Sequence, residues 1–334
     1  DTVYYFSSKY GESVGKSSFS STDPTTGEVN RIYTEKMVFG PDNQHNAWLI
    51  GSGAFIHDMV NDTIVYVYDP PRGGSLDDLS FSADGSTLAL CGYQDSIMLI
   101  DVTNRKIKFG INTPRNEYPL SIAISPTDPI IAVGFDNGIV RFYDFDNGHL
   151  LKSVHAHTNL INKLSFRNDG QVLVSNSWDG RMVLWDPIKQ NKLAELYVFE
   201  DESWAVLDEQ GRYDASNAGD IPHLHFVIDQ QEIIQLDQLK DRYYEPGLLQ
   251  KLLGYNDEPL RQVSKLNIVK LFPKVKYELI NNELNLTIQS RSGGIGKMSL
   301  FINGKEIETD LREKMQNSSI NIDLRNYNSF FKPN

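Results

Sequence analysis

Two His-X-His pairs, His155-Ala-His157 and His223-Leu-His225, have the spacing best suited to chemistry. On a β-strand, residues i and i+2 share a face, so each pair could offer two imidazoles to one metal ion. No carboxylate completes either set, so no metal is expected. Gly11-Glu-Ser-Val-Gly-Lys-Ser-Ser18 approaches a phosphate loop. That loop needs four residues between its first glycine and Gly-Lys-Ser, and only three stand here. The glycines of RSGGIG (291–296) fall between two expected strands and read as a turn. Cys91, in the apolar run TLALCGY, reads as a small core residue. It is the only cysteine, so neither an intrachain disulfide nor a cysteine zinc site can form. No Gly-X-Ser-X-Gly elbow appears. The chain is therefore expected to hold no catalytic set and no cofactor.

The 334 residues suffice for two or three domains. Hydrophobic residues make up 40% and charged residues 23%, an ordinary globular balance. The net charge of -12 opposes nucleic-acid binding, which needs a basic face. No apolar run is long enough for a membrane span. The compartment stays open.

A repeat organises the first half. The segments LSFSADGSTLALCGYQDSIMLID (79–101), IAISPTDPIIAVGFDNGIVRFYD (122–144) and LSFRNDGQVLVSNSWDGRMVLWD (164–186) align. Their closing residues Asp101, Asp144 and Asp186 stand 43 and 42 residues apart. Each copy reads as three short strands with tight turns, and a further outer strand completes a four-stranded unit. A period near forty with this content predicts a β-propeller blade.

These copies resemble WD40 repeats. The resemblance implies a polar tetrad in the best copy: His157, Ser175, Asp179 and Trp185. In that family the aspartate accepts from the histidine, and the chain continues through serine to the indole nitrogen. The other copies depart from the pattern. Asn137 and Gln94 replace the aspartate, and Tyr143 and Ile100 replace the tryptophan. The tetrad is thus expected to be a structural staple of one blade.

Upstream, DTIVYVYD (62–69) reads as another third strand after a long insert, with an outer strand missing. Residues 1–35 read as a divergent blade, and 202–229 as one more atypical blade. About five blade equivalents result, fewer than closed propellers usually carry, so the expected fold is an irregular all-β propeller over 1–229. A helical connector is expected over 230–264, because IIQLDQLKDRYYEPGLLQKLLG carries helical spacing broken by Pro246-Gly247. Alternating strands over 265–334, with turns at Asn281-Asn282 and Asn303-Gly304, resemble part of an Ig-like β-sandwich.

The order of motifs over 200–310 also resembles the connector and Ig-like segment of bacterial WD40 proteins that carry a caspase-like peptidase domain. That resemblance places the catalytic dyad beyond Asn334, with no peptidase domain here. It implies a noncatalytic regulatory or scaffold role with protein partners, as part of a multiprotein complex. The partner-facing end of such a blade is the turn between its second and third strands. There stands Trp178, aligned with Asp136 and Tyr93 and flanked by Phe135, Asn176 and Arg115. Tryptophan, tyrosine and arginine are the side chains on which interface energy concentrates.

Overall fold

The computed structural model describes residues 5–7, 17–22, 29–34, 36–50, 52–70, 74–92, 96–228, 232–263 and 271–331. Tyr93 and Gln94, and Gly11 to Lys16 of the loop-like stretch, lie outside the described residues. The chain forms two compact units, Asp1–His223 with Tyr243–Arg261, and Leu224–Arg242 with Gln262–Asn334.

In the first unit, strands β1–β3 (Tyr5–Ser7, Ser17–Thr22, Val29–Thr34) form an antiparallel sheet. Four sheets follow, each starting with four strands in meander order. They are β4–β7 (Lys36–Phe39, His45–Ile50, Gly53–Asp58, Thr63–Tyr68) and β8–β11 (Asp78–Phe81, Thr87–Cys91, Ser96–Asp101, Lys106–Asn112). Next come β12–β15 (Pro119–Ile124, Ile130–Phe135, Ile139–Asp144, Leu150–His155) and β16–β19 (Ile161–Phe166, Leu173–Ser177, Arg181–Asp186, Asn191–Val198).

The expected repeat explains why these strands pack as they do. Middle strands such as TLALC and IIAVGF are covered on both faces by neighbouring sheets and are buried throughout. Three apolar clusters join the sheets in succession. Leu49 and Ile56 meet Leu79 and Leu88. Leu99 and Cys91 meet Ile131 and Phe135. Phe142 and Ala132 meet Leu164 and Trp185. Gly138 marks one close approach: its φ is +79°, and a Cβ there would meet the His157 carbonyl oxygen at 2.1 Å. Only glycine fits both demands.

Two blade assignments need correction. TIVYVY is the fourth strand of its sheet, and the apparent insert supplies the second and third. Ile50 pairs with Gly53, so a two-residue connection without the Asn-Gly or Asp-Gly signal closes that hairpin. No outer strand is missing. Among the described residues, 202–228 form no blade of their own. β20 (Trp204–Leu207) pairs with β19, and β21 (Tyr213–Ala215) with β20, which extends the fourth blade to six strands. The reason is the tight return in which Phe199 N donates to Ser203 O (2.9 Å). A new blade would have to restart at an innermost strand, and this turn is too short to reach one.

Among the described residues, no further blade lies against the other face of the fourth blade. The short helix Leu248–Leu252 packs there instead, with Leu248 buried against Ala194 and Val206, and with Leu249, Leu252 and Leu260 beside them. Arg167 ties this cap down by donating to the Leu253 carbonyl (3.2 Å).

In the second unit, β22 (His225–Ile228) pairs with β23 (Glu232–Gln235). The helical expectation over 233–235 therefore gives way to a strand. The short helix Lys240–Tyr243 and the helix after Gly247 do flank the Pro246-Gly247 break. β24 (Lys274–Ile280), β25 (Glu283–Gln289) and β28 (Ser319–Asp323) form one sheet, and β26 (Leu300–Ile302) pairs with β27 (Lys305–Glu308). Asn281, Asn282, Asn303 and Gly304 all have positive φ, as two-residue hairpin turns require.

Candidate functional site

The turn from β17 to β18 presents Trp178 at one end of the fourth blade. Its indole is 68% exposed. The backbone beneath it is fixed: Trp178 N donates to Leu160 O (3.1 Å) and Gly180 N to Ser177 O (3.2 Å). Ser177 Oγ donates to Asn159 O (3.1 Å), and Asp179 N donates to Ser177 Oγ (3.1 Å). A large apolar ring on a pinned turn loses little freedom when it is covered.

Directly behind the turn, the structure brings together the four tetrad residues. Trp185 Nε1–H donates to Ser175 Oγ (3.0 Å). Ser175 Oγ lies 2.9 Å from His157 Nε2, and His157 Nδ1 lies 3.1 Å and 3.2 Å from the Asp179 oxygens. Proton counting assigns the roles. Ser175 accepts from Trp185, so its one O–H is free to donate to Nε2. His157 is then neutral, with its proton on Nδ1 and donated to Asp179. Thr158 N (2.9 Å), Arg181 N (3.0 Å) and Arg181 Nη2 (2.9 Å) also donate to Asp179. Burial alone would raise the Asp179 pKa, but these donors outweigh it and hold it at about 2. For His157 burial dominates over the aspartate and lowers the pKa from its ordinary 6.5.

Both shifts have the same consequence. A group with a depressed native pKa contributes stability above its unfolded value and loses it as pH falls. We expect stability to fall as pH drops below 6.5, with His157 contributing a slope of up to about 1.4 kcal/mol per pH unit. Asp179 adds a further loss between 3.8 and about 2. Urea midpoints measured across pH 6.5 check this, since the His157→Asn variant should show a shallower slope. Equal slopes would count against the neutral imidazole.

The third blade lacks the tetrad and is held differently. Arg141 is buried, pairs with Glu117, donates to Ser153 Oγ (3.3 Å) and lies over the Phe135 ring (4.5 Å). This corrects one of the partner-facing assignments. Phe135 is fully buried between blades and under Arg141, because it ends a middle strand covered on both faces. Asn176 is only half exposed, and its side-chain oxygen is buried without a hydrogen-bond partner. Asp136 is half-buried and accepts from Tyr118 N (3.0 Å), which closes its own loop. Arg115 is exposed.

Sequence reasoning missed a second cluster at the same end of the innermost strands. Lys36, Asp78, Ser121 and Lys163 occupy one position, immediately before or at the start of the apolar pattern, in four successive repeats. Asp78 is fully buried and pairs with Lys36, and with Lys163 at 3.7 Å. It also accepts from Leu79 N (2.7 Å), Ser121 Oγ (2.7 Å) and Ile122 N (3.1 Å). Ser121 Oγ in turn accepts from Leu164 N (2.9 Å), so the network crosses four blades. Burial, and then the neighbouring Lys36, lowers the Lys163 pKa against the pull of Asp78. Two ammonium groups thus face one carboxylate. The signal in the sequence was a polar column that changes residue type at each repeat. Asp78→Asn keeps the shape and removes the charge. It should cost about 2 kcal/mol, the scale of a hydrogen bond to a charged group. Urea denaturation checks this.

The His-X-His pairs do not converge on a metal. His157 is taken by the tetrad, His155 is exposed, and His223 pairs with Asp201 (2.9 Å). Among the described residues no group of His, Cys, Asp and Glu is placed to hold a metal. Among them no helix is long and apolar enough to cross a membrane.

The meander sheets and the tetrad define a WD40 repeat within a propeller-like fold. The family described as "WD domain, G-beta repeat" matches residues 148–186, the stretch that carries all four tetrad residues. Among curated relatives, "Echinoderm microtubule-associated protein-like 2" of Mus musculus is 26% identical over 144 residues, 42% of this chain and 21% of that protein. "Ribosome biogenesis protein WDR12 homolog" of Trichoplax adhaerens is 34% identical over 153 residues, 43% of this chain and 34% of that protein. "Eukaryotic translation initiation factor 3 subunit I" of Culex quinquefasciatus is 29% identical over 113 residues, 31% of this chain and 34% of that protein. The chain therefore spans about a fifth to a third of the length of these relatives.

Proposed function

We propose that this chain is a noncatalytic protein-binding module whose repeat region, 1–229, docks a partner at the Trp178 end of its blades. The observation that carries the reading is an exposed tryptophan on a turn whose backbone is already fixed. Lys36 and Lys163 lie at the same end of the innermost strands, on a chain of net charge -12. They favour a partner that brings an acidic group. Relatives named as a ribosome biogenesis protein and as an initiation factor subunit support a place in multiprotein complexes. The finer reading, the sensor part of a bacterial caspase-like protease system with an Ig-like segment, rests on the resemblance over 200–310 alone. Capture from cell extract with the wild type and with Trp178→Ala tests the proposal. A partner retained by the first and lost by the second supports it. Recovery of the same proteins by both opposes it.

A further inference from the structure

In the second unit, the β24–β25–β28 sheet carries its core on one face. Ile320, Ile322 and Ile288 are buried there, with Leu284 and Leu286 packed beside them. Cross-strand pairing sets Val275, Tyr277 and Leu279 of β24 opposite Ile288, Leu286 and Leu284, and so on the same face. Yet these three side chains are 52%, 75% and 62% exposed. The apolar face runs one strand further than the core that covers it.

β24 is also an edge, for among the described residues it pairs with β25 alone. Which of its backbone groups face outward follows from one hydrogen bond. Ile288 N donates to Ser318 O (2.8 Å), so Ile288, Leu286 and Leu284 address β28. Bonding direction alternates along an antiparallel strand, so Glu283, Asn285 and Thr287 address β24. Their partners Ile280, Glu278 and Lys276 are used on β25. The N–H and C=O groups of Val275, Tyr277 and Leu279 therefore point to the open edge, a template for another strand.

We propose that β24 pairs, antiparallel, with β24 of a second copy of this chain about a two-fold axis at Tyr277. Charge and parity select that occupant. In this register Tyr277 meets itself, and Val275 meets Leu279, through the outward-pointing backbone groups. Lys276 then meets Glu278 of the other copy, and Glu278 meets Lys276, in the closely spaced pairs that lack backbone bonds. Opposite charges directly across a sheet stabilise it, and like charges do the reverse. Among the described residues these two pair across the strand with Thr287 and Asn285, which carry no charge. A one-residue slip would set Lys276 against Tyr277 and turn the apolar faces to opposite sides. The paired sheets share one continuous apolar face, and both exposed edges disappear. This inference is independent of the Trp178 reading.

Sedimentation of the full chain over a concentration series tests it, with melting curves to verify folding. The wild type should dimerise. Lys276→Glu places four carboxylates at the contact and should weaken the dimer by about tenfold or more. The double variant Lys276→Glu/Glu278→Lys restores opposite charges and should restore dimerisation. Tyr277→Lys, at an exposed position, should give a folded monomer. A wild type that stays monomeric overturns the proposal. So does a dimer indifferent to Lys276→Glu, one the double variant fails to restore, or assembly into larger species.

Discussion

Replacing Trp185 by alanine should lower stability by about 3–5 kcal/mol, the cost of emptying a fully buried tryptophan site. The ring is fully buried, meets Phe142 edge-on at 5.8 Å, and stands in the cluster that joins the third and fourth blades. The substitution also removes the donor that fixes the proton order of Ser175 and His157. Trp185→Phe separates the two contributions. It retains most of the buried area and loses the indole N–H, so it should cost about 1 kcal/mol more than the change in packing alone. Urea unfolding of the three proteins checks this. A loss below about 1 kcal/mol for Trp185→Ala would show that the interface repacks and that the tetrad holds little.

Trp178→Ala should behave in the opposite way. Its side chain is exposed and the turn beneath it is held by backbone and Ser177 bonds. Stability should stay within about 0.5 kcal/mol of wild type, as for surface positions generally. Affinity for a captured partner should fall by about 2 kcal/mol or more, roughly thirtyfold, as at an interface hot spot. Urea denaturation reads the first number and calorimetric titration of that partner the second. An unchanged dissociation constant would place Trp178 outside the contact.

The repeat was readable because apolar strands, turns and a closing aspartate recur at a near-constant distance, and the hairpin signals Asp-Gly and Asn-Gly mark where strands reverse. What was not readable follows from physics that spacing does not record. The two residues between Ile50 and Gly53 are Gly-Ser, not the Asn-Gly or Asp-Gly that marks the later turns, and the two strands beside them looked like an insert. Phe135 sits next to a surface turn in sequence, yet it ends a middle strand whose two faces are both covered. Glu232–Gln235 lies in a run with helical spacing, but pairing with β22 decides its state. Tertiary contact overrides local pattern in each case. The Lys36–Asp78–Lys163 cluster escaped notice because the column changes residue type at each repeat, and only the folded repeats bring its members to one carboxylate.

A photo-cross-linking side chain placed in turn at position 178 and at Asn168 tests the central claim most directly. Asn168 is exposed in the turn at the opposite end of the same blade. The account predicts a discrete protein adduct from position 178 and none from position 168. Adducts from 168 with none from 178 would contradict it.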